Sequence, residues 1–147
     1  MMIREASFED NEAICRLLCL LFDQEAEFRP DFAAQTRGVG QILSDRGKGR
    51  FFVIEDSGKI VGCISLVFVV STALGGMAAL LEDFVLAESV RGRGWGAELL
   101  DYAIRYALQS GCKRITVLTD KENEAAQSLY LKRGFTYSEM IPMRMVF

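Results

Sequence analysis

Hydrophobic residues in the first half of the chain mark alternating strands and helices. Residues 3–6 are interpreted as a short strand, and Ser7 with Asp10 three positions later predicts a helix start closed by a capping box. A second, weaker helical pattern covers residues 31–44, after an Arg-Pro break. The first helix is predicted from apolar residues spaced i, i+3, i+4 and i+7: Ile14, Leu17, Leu18 and Leu21.

The middle of the chain is strand-like. Residues 50–55 and 59–70 form nearly continuous apolar runs, which are typical of strands covered on both faces of a sheet. The intervening sequence Asp56-Ser57-Gly58-Lys59 predicts a hairpin turn. Two glycines then break the chain before a further strand at residues 78–86.

The second half predicts a crossover unit. A glycine-rich loop leads into a helix that reaches residue 110, then a strand at 114–119 and a helix at 122–132 that ends at Gly134. Residues 135–138 and 141–147 are interpreted as two last strands. The predicted fold is a single mixed α/β domain over residues 1–147. Its central mixed sheet has an antiparallel N-terminal half, a βαβ C-terminal half and helices on both faces.

Composition narrows the class of protein. The chain has 147 residues, half of them hydrophobic and a quarter charged, which suits one soluble domain. The net charge of −3 and the lack of a basic stripe argue against a nucleic-acid partner. The N-terminus lacks the apolar segment of a signal peptide, and the longest apolar stretch, 60–70, is too short to cross a bilayer. We therefore expect a cytoplasmic protein with no membrane partner.

Cysteine and histidine usage restricts the chemistry. The four cysteines sit inside helix and strand patterns, which favours structural thiols over disulfides or a metal site. The chain contains no histidine, so histidine-based triads, histidine general bases and histidine metal sites are excluded. We expect no metal. Acid–base chemistry must use carboxylates, tyrosines, lysines, cysteines or water.

The segment Arg91-Gly92-Arg93-Gly94-Trp95-Gly96 lies between a strand pattern and a helix pattern. Glycines allow close approach of a ligand to the backbone, and the first-turn amides of a helix attract anions. Two arginines add countercharge. The segment is interpreted as a phosphate or pyrophosphate site, with a simple chain-reversing turn as the alternative.

Four features in sequence order resemble the GNAT superfamily of N-acetyltransferases. The first is the strand Glu82-Asp83-Phe84-Val85-Leu86, and the second is the glycine segment, which fits the R-x-x-G-x-G/A pyrophosphate loop. Asn123, Ala126 and Tyr130 fit an N-x-x-A-x-x-x-Y helix, and Lys132-Arg133-Gly134-Phe135 resembles its ending. The strand and loop look most like the small-amine branch that includes spermidine/spermine acetyltransferases. Trp95 departs from the usual aliphatic residue, and Ala87-Glu88-Ser89 replaces a common Asp-Pro turn.

The resemblance implies an acetyl-CoA-dependent N-acetyltransferase that works by direct attack in a ternary complex, with acetyl-CoA as co-substrate. Tyr130 would protonate the departing thiolate, with packing of its helix onto the sheet as the alternative. Asn123 would hydrogen-bond the pantetheine arm or cap its own helix, and these two uses are compatible. Glu82 would take the proton of the amine, directly or through water, although a solvent-facing strand carboxylate is an equal reading. Asp83 should point to the opposite face by strand alternation. The implied cofactor-binding residues are Phe84, Val85, Leu86, Arg91, Gly92, Arg93, Gly94, Trp95, Gly96, Ala97 and Asn123.

The acceptor is predicted less sharply. Acidic residues surround Arg29 between the first two helices, which favours a small cationic amine such as a polyamine, whereas a solvated acidic loop is the plainer interpretation. An aminoglycoside or an amino-acid-like amine also fits. A homodimer is a further expectation from the family. The acidic residues are Asp23, Glu25, Glu27 and Asp31.

Other functions fit fewer residues. Gly92-x-Gly94-x-x-Ala97 with Asp120 matches a dinucleotide-binding fingerprint, but four residues separate the strand from these glycines. No Gly-Lys-Ser/Thr motif is present, which excludes a P-loop. A non-catalytic acyl-CoA sensor would keep the loop and tolerate loss of Tyr130 and Glu82. A protein lysine or N-terminal acetyltransferase is the remaining alternative.

Overall fold

The computed structural model describes residues 1–25, 27 and 29–147, which form a single α/β domain. Its sheet has five strands whose spatial order follows their order in the chain. The first four pair antiparallel, and the last pairs parallel with the fourth, as the fold prediction required. The strands are β1 (Met2–Glu5), β2 (Gly49–Asp56), β3 (Lys59–Ser71), β4 (Gly76–Leu86) and β5 (Ile115–Val117).

Four helices cover both faces of this sheet, which confirms the predicted layers. The first two pack on one face, where Ile14 and Val39 meet Phe51 of β2 in a buried core. The third and fourth pack on the other face, where Leu99 and Tyr130 belong to a second buried core. Short 3-10 turns at Phe8–Asp10 and Glu88–Val90 precede the first and third helices. The helices are α1 (Asn11–Gln24), α2 (Phe32–Ser44), α3 (Trp95–Gln109) and α4 (Glu124–Leu131).

The capping box and the hairpin turn predicted in the N-terminal half are both present. The Asp10 carboxylate accepts the Ser7 backbone N–H at 2.7 Å, closing the capping box, and it also binds the Arg4 guanidinium. Asp31 caps α2 by accepting the Ala34 N–H at 3.0 Å. The hairpin between β2 and β3 turns on Ser57 and Gly58, whose φ angles of 50° and 74° suit a two-residue turn with positive φ.

A β-bulge interrupts the pairing of β3 with β4 and positions the site. Ile64 pairs with Phe84, but Leu66 pairs with Leu81, so Ser65 faces both Glu82 and Asp83. Leu81 and Phe84 both pack against the core under α3, although they are three positions apart. The bulge therefore interrupts the alternation of side chains along β4, so that Glu82 and Asp83 lie on the same face of the sheet.

The two strands predicted at residues 135–138 and 141–147 are absent from the described residues, and that prediction is wrong. The segment carries large apolar side chains that suggested strands, but a strand also needs a partner, and β5 extends over only three residues. Most of those side chains are exposed instead, for example Met143 and Phe147.

Two further findings concern the whole fold. All four cysteines are free, with Cys15 and Cys63 buried in the core under α1 and α2, as expected for structural thiols. No helix within the described part of the chain has both the length and the apolarity to cross a membrane.

Candidate active site

The glycine-rich loop takes the backbone shape that its sequence predicts. Gly92 and Gly94 have φ angles of 74° and 82°, in the left-handed region that residues with a Cβ rarely adopt. Gly94 is the N-cap of α3, a helix of 15 residues, and a Cβ there would meet open space. The loop thus presents the first-turn N–H groups of a long helix to an exposed surface. This arrangement suits an anion such as a pyrophosphate.

Gly96 has a different function in the same loop. A Cβ at this position would lie 2.8 Å from Leu86 Cδ1, so a larger residue would displace the Leu86 side chain where the first turn of α3 rests on the end of β4. Arg91 Nε donates to the Leu86 carbonyl at 3.1 Å, which fixes the loop entry on the same strand end. The Arg93 guanidinium lies 5.3 Å from the centre of the Trp95 ring. Trp95 itself packs against the core under α3.

The edge of β4 beyond Leu81 is open. β5 pairs with β4 only from Ala79 to Leu81, so Phe84–Leu86 have no strand beside them on that side among the described residues. Backbone N–H and C=O groups there need partners from a ligand or from water. The arm of coenzyme A contains amide groups that can form hydrogen bonds along such a strand edge. The anion site lies at the end of the same strand. The residues present therefore fit this co-substrate.

Tyr130 lies beside this open edge. Its ring is 7% exposed and packs between Phe84 and Phe135, with ring centres 6.4 and 5.4 Å away. Its hydroxyl has no hydrogen-bond partner among the described residues, yet it is not sealed from solvent, since no buried side-chain oxygen lacks a partner. Desolvation raises the pKa of Tyr130 to about 12. The phenol therefore stays protonated at neutral pH and can act as a proton donor.

Asn123 begins the helix that carries Tyr130. Its side-chain oxygen accepts the Ala126 N–H at 3.1 Å, which is a helix N-cap. The side chain is exposed, and its amide NH₂ stays available as a donor. The structure therefore shows the capping use that the sequence offered as one of two compatible uses.

A cavity of about 350 Å³ lies on the other face of β4, between α1, α2 and the sheet. Its wall is mainly apolar, with Glu82 and Asp83 at one side. The sequence-based expectation that these two carboxylates point to opposite faces is wrong, because the β-bulge turns both toward this cavity. Lining residues from the helices and β2 include Leu18, Phe22, Val39, Ile42 and Phe51.

The two carboxylates differ in environment. Glu82 is exposed, whereas Asp83 is 8% exposed and accepts the Ser65 hydroxyl at 2.8 Å. The Ser65 oxygen in turn accepts the Asp83 backbone N–H at 3.0 Å. Burial raises the pKa of Asp83 to about 6, and the Glu82 charge adds to this, while the Ser65 bond opposes it. Asp83 is the most strongly perturbed carboxylate in the cavity wall, and sequence alternation alone could not find it.

The acidic segment after α1 contributes to the same region. Glu25 is half-buried, and its pKa is raised to about 7 by desolvation first and then by Asp120, Asp83 and Glu82. Arg29 and Asp31 line the cavity, and Glu27 pairs with Arg144 at 3.2 Å. Asp23 is exposed and is not part of the cavity wall. A surplus of negative charge therefore surrounds the cavity.

Within the described residues, no group of three or more cysteine, aspartate or glutamate side chains could hold a metal ion.

Comparisons with known proteins agree with this geometry. A family profile described as the acetyltransferase (GNAT) family matches residues 11–135. An integron cassette protein from the mobile metagenome of the Cole Harbour salt marsh has a similar structure, with a TM-score of 0.85. The two sequences are 26% identical, and the match covers 98% of this chain and 89% of that one.

Two relatives share most of their length with this chain. An uncharacterized N-acetyltransferase of Bacillus subtilis is 32% identical, over 92% of this chain and 89% of the relative. An aminoalkylphosphonate N-acetyltransferase of Salmonella typhimurium is 27% identical, over 92% of this chain and 85% of the relative. Family profile, sequence relatives and fold thus lead to one assignment: the chain belongs to the GNAT family and is an acetyl-CoA-dependent N-acetyltransferase.

Proposed function

We propose that the protein transfers an acetyl group to the primary amine of a small cationic molecule, by direct attack within a ternary complex. The observation that carries this proposal is the position of β4. Its open edge offers main-chain groups next to Tyr130, and its bulge turns Glu82 and Asp83 into a cavity on the opposite face. Acyl donor and amine would therefore meet across one strand.

The donor side uses the loop and the open edge. The loop amides and the arginines would hold the pyrophosphate of acetyl-CoA, while the main chain of Phe84, Val85 and Leu86 would bind the pantetheine arm. An N–H near Val85 would polarise the thioester carbonyl and stabilise negative charge on its oxygen during attack. The residues proposed for this side are Phe84, Val85, Leu86, Arg91, Gly92, Arg93, Gly94, Trp95, Gly96, Ala97 and Asn123.

The acceptor side must first make the amine nucleophilic. An alkyl ammonium has a pKa of about 10.4, so almost none of it is neutral at pH 7. Glu82, exposed at the cavity, would take that proton directly or through a water. The freed lone pair then forms the C–N bond while the C–S bond breaks.

Tyr130 completes the exchange. A free thiol has a pKa of about 8.5, so a leaving thiolate accepts a proton from a phenol only with help from its surroundings. Burial beside Phe84 and Phe135 supplies that help, because a charged thiolate is also disfavoured there. Two protons leave the nitrogen in total. One proton, in net terms, ends on the CoA thiol, because Tyr130 protonates the thiolate and then regains a proton. The other proton goes to solvent.

The size and charge of the cavity support a small cationic acceptor. About 350 Å³ is in the range of small-molecule sites, and carboxylates from three segments raise the negative potential around it. Arg29 in the wall also suits an acceptor that carries an anionic group beside its amine. That feature favours amino-acid-like or aminophosphonate-like amines as a second class, and the Salmonella relative named for such an amine points the same way.

A homodimer is proposed from the C-terminal segment. Residues 137–147 expose apolar side chains, and such surfaces usually mark contacts between proteins. A second copy of the chain would cover them. Sedimentation equilibrium should give twice the mass of the chain, and a monomer at all concentrations would contradict this. The exposed side chains are Tyr137, Met140, Ile141, Met143, Met145, Val146 and Phe147.

The function is tested by measuring thiol release from acetyl-CoA with a panel of amines. The panel contains polyamines, aminoglycosides, aminoalkylphosphonates, amino acids and a lysine peptide. We expect turnover with a small amine, and intersecting initial-velocity lines, as a ternary complex requires. Parallel lines would contradict direct attack, and turnover with the peptide alone would favour the protein-acetylating alternative. Tight acetyl-CoA binding without turnover on any amine would favour the acyl-CoA sensor.

A further inference from the structure

The Ser65–Asp83 pair is a buried polar pair beside a cavity whose wall is mainly apolar. Asp83 Oδ2 accepts the Ser65 hydroxyl, whose oxygen accepts the Asp83 N–H, so the two residues fix each other across the bulge. Replacing this pair with apolar residues would remove the cost of burying an ionisable group. A buried carboxylate at this point therefore needs a functional reason or a structural one, and the geometry of its second oxygen distinguishes them.

Asp83 Oδ1 has no hydrogen-bond partner among the described residues, and it is not sealed inside the protein, since no buried side-chain oxygen is left unpaired. Asp83 is among the residues that line the cavity. A purely structural aspartate would use both oxygens within the fold, whereas Asp83 uses only one of them for its bond to Ser65.

We propose that Asp83, positioned by Ser65, is a second catalytic carboxylate of this N-acetyltransferase and shares with Glu82 the proton taken from the acceptor ammonium. The inference rests on the function proposed above and names a further residue of the same site. The N–H bond of the ammonium breaks, its electron pair stays on nitrogen, and its proton binds the carboxylate pair. The proton leaves the pair to solvent after the acetyl group has moved.

The surroundings of Asp83 favour it as the residence of that proton. Burial holds its pKa near 6, close to the operating pH of a general base. Ser65 lowers this pKa by stabilising the charged form, so it is a positioning residue that sets when Asp83 is ionised. The ionisable groups that face Asp83 or line its cavity are Cys63 on β3, Cys15 on α1, Glu25 after α1, Arg29 and Asp31 before α2, and Glu82 on β4.

The test compares three variants in the pH profile of kcat/KM for the best amine. Wild type should lose activity below about pH 6, the pKa of Asp83. Asp83→Asn should lower kcat/KM by about 100-fold at pH 7 and remove that acidic limb. Ser65→Ala should keep most of the activity at pH 8 and move the limb upward. Ser65→Thr, which keeps a hydroxyl, should bring it back.

Glu82→Gln is the matched comparison at the neighbouring exposed carboxylate. It should also lower kcat/KM, but an acidic limb should remain and shift slightly to lower pH, because the Glu82 charge that raises the Asp83 pKa is gone. Acetyl-CoA affinity and melting temperature show that each variant is folded. Wild-type kcat/KM and pH profile in Asp83→Asn would overturn the proposal, and so would an unmoved limb in Ser65→Ala.

A second readout is independent of turnover. The ¹³C carboxyl resonance of Asp83, assigned by its loss in Asp83→Asn, should titrate near pH 6 and move upward in Ser65→Ala. Titration of Asp83 near pH 4, unaffected by Ser65→Ala, would overturn the proposal. A wild-type protein that acetylates no amine yet shows the raised titration would contradict the proposed function and leave the Ser65–Asp83 pairing intact.

Discussion

Tyr130 shows how one residue acquires its chemistry from its surroundings. The sequence identified it by its spacing from Asn123, and the structure adds that it is nearly buried between two phenylalanines beside an open strand edge. Burial raises its pKa to about 12, so it stays protonated at neutral pH and is available as a proton donor. A tyrosine that only packed α4 onto the sheet would not need its hydroxyl.

Tyr130→Phe separates these two uses, because it keeps the ring and removes only the proton donor. We expect kcat to fall by about 100-fold or more, as is usual for loss of a general acid, with the Kd for CoA within twofold of wild type. Rapid-quench turnover and calorimetric titration with CoA provide the two numbers. Full turnover would show that the thiolate is protonated by another group.

Asp83 shows what sequence alternation cannot reveal. Its neighbour Glu82 was identified through the family resemblance, but the bulge opposite Ser65 depends on how two strands meet, which neither strand encodes alone. The apolar wall from α1 and α2 was equally hidden, since its residues read as ordinary core. Tyr130 and the loop glycines were visible in the sequence because their spacing is local.

Asp83→Asn should stabilise the protein at neutral pH. The pKa of Asp83 is raised to about 6, so its favourable contribution to folding is present below its ordinary pKa of 3.8 and is lost as the pH rises through 6. The rise of the Asp83 pKa from 3.8 to about 6 corresponds to about 3 kcal/mol in the free energy of unfolding. Urea unfolding should give equal stabilities near pH 3.5 and a more stable variant at pH 8. If wild type and variant were equally stable at both pH values, the pKa of Asp83 would not be raised in the folded protein. Glu82→Gln, at the neighbouring exposed carboxylate, is the control.

At the scale of elements, the helix starts were the most predictable features. Ser7, Asp31 and Asn123 carry side chains that satisfy free backbone groups locally, so their sequence position defines a boundary. The C-terminal strands were predicted wrongly because apolar residues at 141–147 specify no partner, and the structure pairs them with none of the described strands. In the glycine loop, the positive φ angles follow from the local sequence, whereas the contact with β4 depends on how distant elements pack.

Gly94→Val tests the loop as an element. Valine would be strained at a φ of 82° and would place a side chain over the first turn of α3, so we expect CoA affinity to fall at least tenfold. Gly111, just after the C-terminal end of the same helix, has the same φ of 82° and equally open space. Gly111→Val should therefore lose similar stability and keep wild-type CoA affinity. Equal CoA affinity in both variants would remove the loop from the binding site.

For the whole molecule, the central feature is a sheet whose parallel half opens after three residue pairs. The strand β4 then has a main-chain edge on one side, Tyr130 near one face and the carboxylate-lined cavity on the other. The fold class and the position of the glycine loop between β4 and α3 were predicted correctly, whereas the cavity depends on contacts among α1, α2 and β4 that are distant in sequence. The charges also differ between the two sides of β4, with arginines in the glycine loop and carboxylates around the cavity.

Isothermal titration of the protein with acetyl-CoA, with NADH as the control ligand, tests this account most directly. Both ligands carry a pyrophosphate, but only acetyl-CoA has an arm that can follow the open edge of β4. We predict one acetyl-CoA per chain with micromolar affinity and no measurable heat from NADH. A folded protein that bound NADH, or failed to bind acetyl-CoA, would contradict the assignment of the loop and the β4 edge as the acyl-donor site.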